Sequence, residues 1–274
     1  MEQFEMKLKP DYVKLLDLLC RALNAGVTND DERSSIARGL TDKFINHALT
    51  VLYLSDGTKT NLPSFLFGLT DFISIGVLTR VSLEAFLTFH YVFYAPTTKE
   101  EKDYRYWCYK AAGIAERQDA PASTEEYKQK QAEEKKELNR LRDKLEANAI
   151  FQNLTQGQGK QILKGKWKLP SWYNIAIDAG FSGILASDMY RLLSGFAHSS
   201  FLSVVQSVEI QKNRKQQDTI SSSMVIMNIV IANMTKEYCG LFSKAQDVLS
   251  KDYDGSYIVD WWIQVDRHLN KFRK

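Results

Sequence analysis

Apolar residues recur along most of the chain at the spacing of amphipathic helices. The first such stretch runs from Asp11 to Ala25, with apolar side chains three or four positions apart, and it ends at Gly26. The same spacing, bounded by turn residues, predicts further helices over 31–54, 63–94, 123–146, 183–211, 219–250 and 257–272. No run alternates apolar and polar residues as a half-buried strand does. The pattern therefore predicts an all-α fold built as a single helical bundle.

One segment of the chain has a different character. Residues 99–147 become dense in Lys and Glu, and Ser123-Thr124-Glu125-Glu126 has the form of a capping box that opens a helix. The helix that follows carries only a thin apolar line, at Leu138, Leu141 and Leu145. We predict a charged helical hairpin, inserted into one domain that spans residues 1–274.

A glycine-rich and lysine-rich stretch, 153–170, is the segment with the weakest sign of regular structure. Flexible lysines neutralise phosphates without fixed geometry, so this stretch is a candidate nucleic-acid-binding loop. A loop that only keeps the protein soluble has the same composition. The candidate binding residues are Lys160, Lys164, Lys166 and Lys168.

Composition and charge exclude few function classes. The 274 residues include 36 basic and 33 acidic side chains, a formal net charge of +3, so bulk charge gives no strong attraction to nucleic acid or to a membrane. Three distant cysteines form no ligand pattern and favour a reduced cytoplasmic location. The apolar stretch from Leu62 to Ala95 is interrupted by charges, so no membrane role is expected. We expect no metal and no cofactor.

The most informative segment is the predicted helix over 183–211. At α-helical pitch Ser187, Arg191, Ser194 and His198 follow steps of four, three and four and share one face. A cation and an imidazole are costly to bury without partners. The stripe is therefore either a satisfied structural cluster or a site for an anion.

A second charged pair lies in the apolar helix over 63–94. Arg80 and Glu84 stand four residues apart and can face the same way. Glu84 has three candidate arrangements: a pair with Arg80, a pair with Arg191, or a bridge between both. An internal ion-pair cluster that fixes the register of two helices would need no chemistry.

These residues carry a resemblance to a known family. The set Arg80-x-x-x-Glu84, Trp172, and Tyr190-Arg191-Leu-Leu-Ser194 with His198 resembles an uncharacterised bacterial all-helical family, and that family resembles the HEPN (higher eukaryotes and prokaryotes nucleotide-binding) superfamily. The HEPN-like core would cover residues 62–250, with 99–147 as a variable insert. The hallmark of HEPN proteins is an Arg and a His on one helix with four to six residues between them. Arg191 and His198 enclose six.

The resemblance implies a metal-independent endoribonuclease of a defence or toxin type. It implies a homodimer with RNA in a cleft between protomers, and a neutralising protein partner. Arg191 would stabilise the phosphate and His198 would transfer protons, with Ser194 beside them. Arg80, Glu84 and Tyr190 would support the site.

A second hypothesis belongs to a different class. Many active HEPN members have a polar residue directly after the Arg, whereas this chain has Leu192. The same Arg, Glu and His residues would then hold together a non-catalytic helical interaction or scaffolding protein.

Overall fold

The computed structural model describes residues 2–26, 31–57, 71–121, 123–197 and 201–269. Helices account for nearly all of these residues, and no β-strand occurs among them. The predicted all-α fold is therefore confirmed. By contact, the chain divides into two compact units, one formed by Met1–Phe89 with Ala176–Lys274 and the other by His90–Ile175.

The first unit is built around two buried helices, α3 (Phe72–Phe89) and α11 (Gln216–Leu241), which pack against each other. Around them lie α1 (Glu2–Ala25), α2 (Glu32–Ser55), α9 (Tyr190–Ala197), α10 (Phe201–Lys212), α12 (Ser243–Lys251) and α13 (Tyr253–Leu269). The core contains large side chains with almost no exposed surface, among them Tyr12, Phe44, Phe86, Tyr238 and Trp262.

The second unit begins with a π-helical segment, His90–Tyr94, and continues into a helical hairpin of α4 (Lys99–Gln118) and α5 (Glu125–Glu146). Two short helices follow, α6 (Ala149–Gln152) and α7 (Gln156–Leu163), and then α8 (Trp172–Asp178), whose last three residues belong to the first unit. The thin apolar line of α5 is buried against α4, so this unit has its own hydrophobic core. The predicted charged segment, 99–147, lies within it.

Several helix starts follow the predicted capping signals. The side chain of Asp31 accepts a hydrogen bond from the backbone N–H of Ser34, and Thr124 does the same for Tyr127. These caps act over three residues, which is why the local sequence reveals them.

Two expectations about helix continuity are wrong. The helix predicted over 219–250 begins earlier, at Gln216, and is interrupted at Phe242, whose backbone is extended. The stretch 153–170, expected as a flexible loop, contains α7. That helix opens with a capping box between Thr155 and Gln158, a signal that the sequence carries.

Candidate functional site

The helix that carries Arg191 begins at a buried clamp. Ser182 precedes the first helical residue, and its Oγ accepts a hydrogen bond from the backbone N–H of Leu185 at 3.1 Å. The carboxylate of Asp266, from α13, accepts bonds from the N–H and Oγ–H of Ser182, at 2.7 and 2.6 Å. Both residues are buried, so the start of the helix is fixed to α13. Sequence reasoning missed this clamp, although Ser182 before Gly183 is an N-cap signal.

A π-helical segment, Leu185–Met189, lies between this cap and α9. A π turn holds about one more residue than an α turn. The step of four from Ser187 to Arg191 still covers most of a π turn, so the placement of these two positions on one face stays a prediction. From Arg191 to Ser194 the backbone is α-helical, and those two positions stay on neighbouring parts of one face.

Helix α9 packs antiparallel to α3. The rings of Phe86 and Phe181 are 5.5 Å apart at one end of the contact, and those of Phe72 and Phe196 are 6.2 Å apart at the other. The earlier residue of α3, Phe72, meets the later residue, Phe196, and the later residue, Phe86, meets the earlier one, Phe181. The segment that ends in α9 therefore runs antiparallel to α3. Gly76 allows this approach, because a Cβ there would lie 2.5 Å from the ring of Phe196.

The Arg80–Glu84 pair lies on α3 between these two ring contacts. Nε of Arg80 donates to Oε1 of Glu84 at 3.1 Å, and the side chains are only 15% and 29% exposed. Of the arrangements open to Glu84, the structure shows contact with Arg80, and those that involve Arg191 stay predictions, because its side chain lies outside the described residues. Both residues lie one to two helical turns beyond Gly76, along the same α3 segment that faces α9.

The remaining residues of the predicted site are placed only in part. The backbone of Tyr190 and Arg191 is part of α9, but the structure does not describe their side chains, and His198 lies wholly outside the described residues. Ser194 is half-buried and has an interaction partner. The structure therefore brings Arg191 and Ser194 onto one short helix.

The predicted single helix over 183–211 is wrong, because α9 and α10 fold against each other. Gly195 and Gln206 would lie about 16 Å apart along a straight helix. Yet a Cβ on Gly195 would lie 3.1 Å from Oε1 of Gln206. A groove of about 220 Å³ lies between the two helices, lined by Phe196, Gln206, Glu209, Ile210, Asn213 and Lys215.

The four predicted nucleic-acid-binding lysines do not form one loop. Lys160 is exposed on α7, and Lys164 is exposed at its C-terminal cap. Nζ of Lys166 donates to Oε1 of Gln161 at 2.9 Å. Lys168 is half-buried, with Nζ 4.2 Å from the ring centroid of Trp172. Three of the four are thus exposed.

Lys168 belongs to an aromatic cluster that the sequence did not reveal. Trp167 contacts the rings of Tyr91, Tyr109 and Trp172 at centroid distances of 5.9, 5.4 and 5.9 Å. Trp167 lies in the irregular segment after α7, and the other rings come from the π-helical segment, α4 and α8, so no local pattern predicts the cluster. Its rings pack on one another, which gives it a structural role.

The cysteine thiols do not form a reactive centre. Cys20, Cys108 and Cys239 are all free, and burial raises the pKa of Cys108 and of Cys239 to about 12. A thiol with such a raised pKa is a poor nucleophile near neutral pH. Within the described ranges, no three His, Cys, Asp or Glu residues are grouped so that they could hold a metal.

One helical stretch of the described chain, Phe72–Tyr94, is long and apolar enough to cross a membrane. Most of it is buried inside the protein, as the core helix of a globular bundle also is.

The fold and the site define an all-α protein in which a short Arg- and Ser-bearing helix packs against a helix with a partly buried ion pair. The model of a family of unknown function (DUF5677) matches residues 68–216 of the chain. This match covers 149 of 274 residues, so the chain belongs to that family. The match includes Arg80, Glu84, Arg191, Ser194 and His198. No curated protein matches the chain, and no solved structure matches it either.

Proposed function

We propose that this chain is a HEPN-like protein that cleaves RNA without a metal, as a cytoplasmic homodimer. Arg191 would stabilise negative charge on the phosphate oxygens, with a planar guanidinium that can bond two oxygens at once. His198 would act as the general acid or base, because an imidazole titrates near neutral pH. Ser194, on the same helix as Arg191, would orient the phosphate.

The observation that carries this proposal is the pairing of Glu84 with Arg80. An Arg that neutralises a partly buried carboxylate is less available for a phosphate. Because Arg80 takes that role at 3.1 Å, Arg191 is not required for it. We therefore assign a supporting role to Arg80 on α3 and the substrate-facing role to Arg191 on α9.

The π-helical segment before α9 supports the same proposal. Such segments are uncommon and occur often at functional sites. Here the segment ends at Met189, two positions before Arg191. The groove between α9 and α10 adds amide and lysine groups beside the same helix.

The proposed reaction is a transesterification within the RNA. A base takes the proton of a ribose 2′-hydroxyl, and the 2′-oxygen attacks the adjacent phosphorus. The bond from phosphorus to the 5′-oxygen breaks, and that oxygen receives a proton. The products are a cyclic phosphate and a free 5′-hydroxyl. The exposed Lys160, Lys164 and Lys166 would bind the RNA backbone, and a separate protein would neutralise the activity.

A second candidate function is a non-catalytic interaction module. The observation that favours it is the exposed apolar face of α10, where Phe201 is 82% and Leu202 70% exposed. Exposed apolar groups of this kind mark contacts with other macromolecules. In this case Arg191 and His198 would serve the packing of the bundle.

Incubation of the purified protein with total RNA in EDTA tests the proposal. We expect cleavage that leaves a cyclic phosphate, and its loss in His198→Ala and Arg191→Ala. Arg191→Lys keeps the charge and should also lose most activity, because an ammonium cannot bond two oxygens in a fixed plane. His47→Ala, which changes a histidine on α2, is the matched control and should stay active.

The result also separates the two functions. Cleavage that is absent in the wild type, or that survives in folded His198→Ala, would reject the ribonuclease. If Arg191→Ala and His198→Ala instead lower the unfolding temperature by several degrees while the wild type cleaves nothing, the interaction module is favoured.

A further inference from the structure

Helix α10 has the reverse of the usual amphipathic pattern. Phe201, Val204 and Val208 follow steps of three and four and are exposed, together with Leu202. Ser203 is the α10 residue that is buried, and Oγ of Ser207 donates to its carbonyl. A helix on the surface of a monomer normally turns its apolar face inward. We call Phe201, Val204 and Val208, which share one face of the helix, the α10 stripe.

We propose that the α10 stripe packs against the α10 stripe of a second copy of this chain, antiparallel across a two-fold axis that passes beside Val204. The proposal deepens the homodimer of the proposed function, but its evidence is α10 alone and does not depend on RNA cleavage.

The charge along α10 fits a second copy. Residues 201–208 contain no ionisable side chain, and the charged residues of α10, Glu209 and Lys212, follow the stripe. A two-fold contact places the same surface on both sides, so a charged residue at its centre would lie against the same charged residue of the other copy. The uncharged centre avoids this repulsion, and the charged end of each helix lies outside it.

The area of the stripe fits the core of one interface. Phe201 can bury about 150–250 Å² by itself. A standard interface takes about 800 Å² from each partner, with an apolar core inside a polar rim. The stripe supplies such a core, and Gln211, the polar residue that flanks it on α10, would supply part of the rim.

Sedimentation velocity over a range of concentrations tests the association. We expect the wild type to be dimeric in the micromolar range. Phe201→Ser and Val208→Glu should each raise the dissociation constant by at least about tenfold, as central interface residues do. Tyr53→Ser, which removes an equally exposed ring from α2, should leave it unchanged. Circular dichroism shows that each variant is folded.

A cysteine placed at the axis tests the geometry. A disulfide forms only when two Cα atoms lie within about 7 Å, so a residue bonds to its own copy only beside a two-fold axis. In a Cys20→Ser background, Val204→Cys should cross-link two copies under mild oxidation, and Tyr53→Cys should not. A wild type that is monomeric at about 100 µM, or a dimer that Phe201→Ser and Val208→Glu leave intact, would overturn the proposal.

The RNA assay and the association assay can reject their two proposals independently of each other. A dimer that cleaves no RNA rejects the ribonuclease and keeps the α10 interface, whereas RNA cleavage by a monomer rejects the interface.

Discussion

Asp266 of α13 accepts two hydrogen bonds from Ser182, 84 residues earlier in the chain, at 2.6 and 2.7 Å. Through this contact α13 holds the N-terminus of the helical segment that leads to Arg191. Because the contact is buried, each group has given up hydrogen bonds to water and bonds to the other instead. A buried hydrogen bond to a charged group contributes more than a neutral one.

Replacement of Ser182 by Ala should therefore destabilise the protein. The change removes the Oγ–H donor to Asp266 and the acceptor for the N–H of Leu185, and we expect a loss of about 1–3 kcal/mol in the free energy of unfolding. Urea denaturation measures it. Ser222→Ala removes an exposed hydroxyl that bonds its own helix, and should cost less than about 0.5 kcal/mol. Equal midpoints for the two variants would contradict the role of the clamp.

The close approach of α3 and α9 gives a second prediction, at Gly76. A Cβ at this position would lie 2.5 Å from the ring of Phe196, so Gly76→Ala forces that ring off its contact with Phe72. We expect a loss of about 1–3 kcal/mol in unfolding free energy, the usual range for overpacking.

The control is Gly113→Ala, in the exposed part of α4. A Cβ there meets no atom within 4 Å, so the change brings only the better helix propensity of Ala. It should stabilise by up to about 1 kcal/mol. Thermal or urea unfolding of the two variants should thus move in opposite directions, and a shift of the same sign would contradict the packing described for Gly76.

The sequence predicts those features whose cause lies within a few residues. The side chains of Asp31 and Thr124 each cap a helix by accepting a bond from a backbone N–H three residues later. Arg80 and Glu84 pair one helical turn apart. The packing of α10 back against α9 is not signalled by the apolar spacing, which continues from Leu193 into Val204.

The candidate site is less predictable than the helices for the same reason. The π-helical segment before Arg191 adds about one residue to a turn, so the faces of residues before it are rotated relative to those of residues after it. The clamp between Ser182 and Asp266 depends on how α13 packs, which no spacing in the sequence encodes. The residue types of the site could be read from the chain, whereas their relative orientation required the fold.

The ion pair on α3 gives a third prediction. Arg80→Met should leave the carboxylate of Glu84, which is 29% exposed, without its partner at 3.1 Å. We expect a loss of about 1 kcal/mol, above the median for surface pairs but below that for fully buried ones. Glu84→Gln in the Arg80→Met background should recover part of it, because the stranded charge is then gone.

Lys236→Met is the matched control, since it breaks a pair with Asp260 of similar length, 3.0 Å, whose side chains are more than half exposed. Its cost should stay below about 0.5 kcal/mol. Chemical denaturation compares the variants. An Arg80→Met protein as stable as the wild type would mean that another cation neutralises Glu84, and would weaken the assignment of Arg191 to substrate.

The last prediction concerns pH and His47 on α2. Burial lowers the pKa of His47 below its ordinary value of 6.5, and the nearby charge of Lys43 lowers it further. The folded protein thus favours the neutral imidazole, and the unfolded chain takes up a proton first as the pH falls. The stability that His47 contributes is present above pH 6.5 and is lost as the pH falls from there toward the lower pKa of the folded state.

The free energy of unfolding, measured by urea from pH 7.5 to 5.5, should fall more steeply in the wild type than in His47→Gln. Lys43→Met removes one of the two causes, so its slope should lie between them. Parallel curves for all three proteins would show that His47 titrates alike in the folded and unfolded chains.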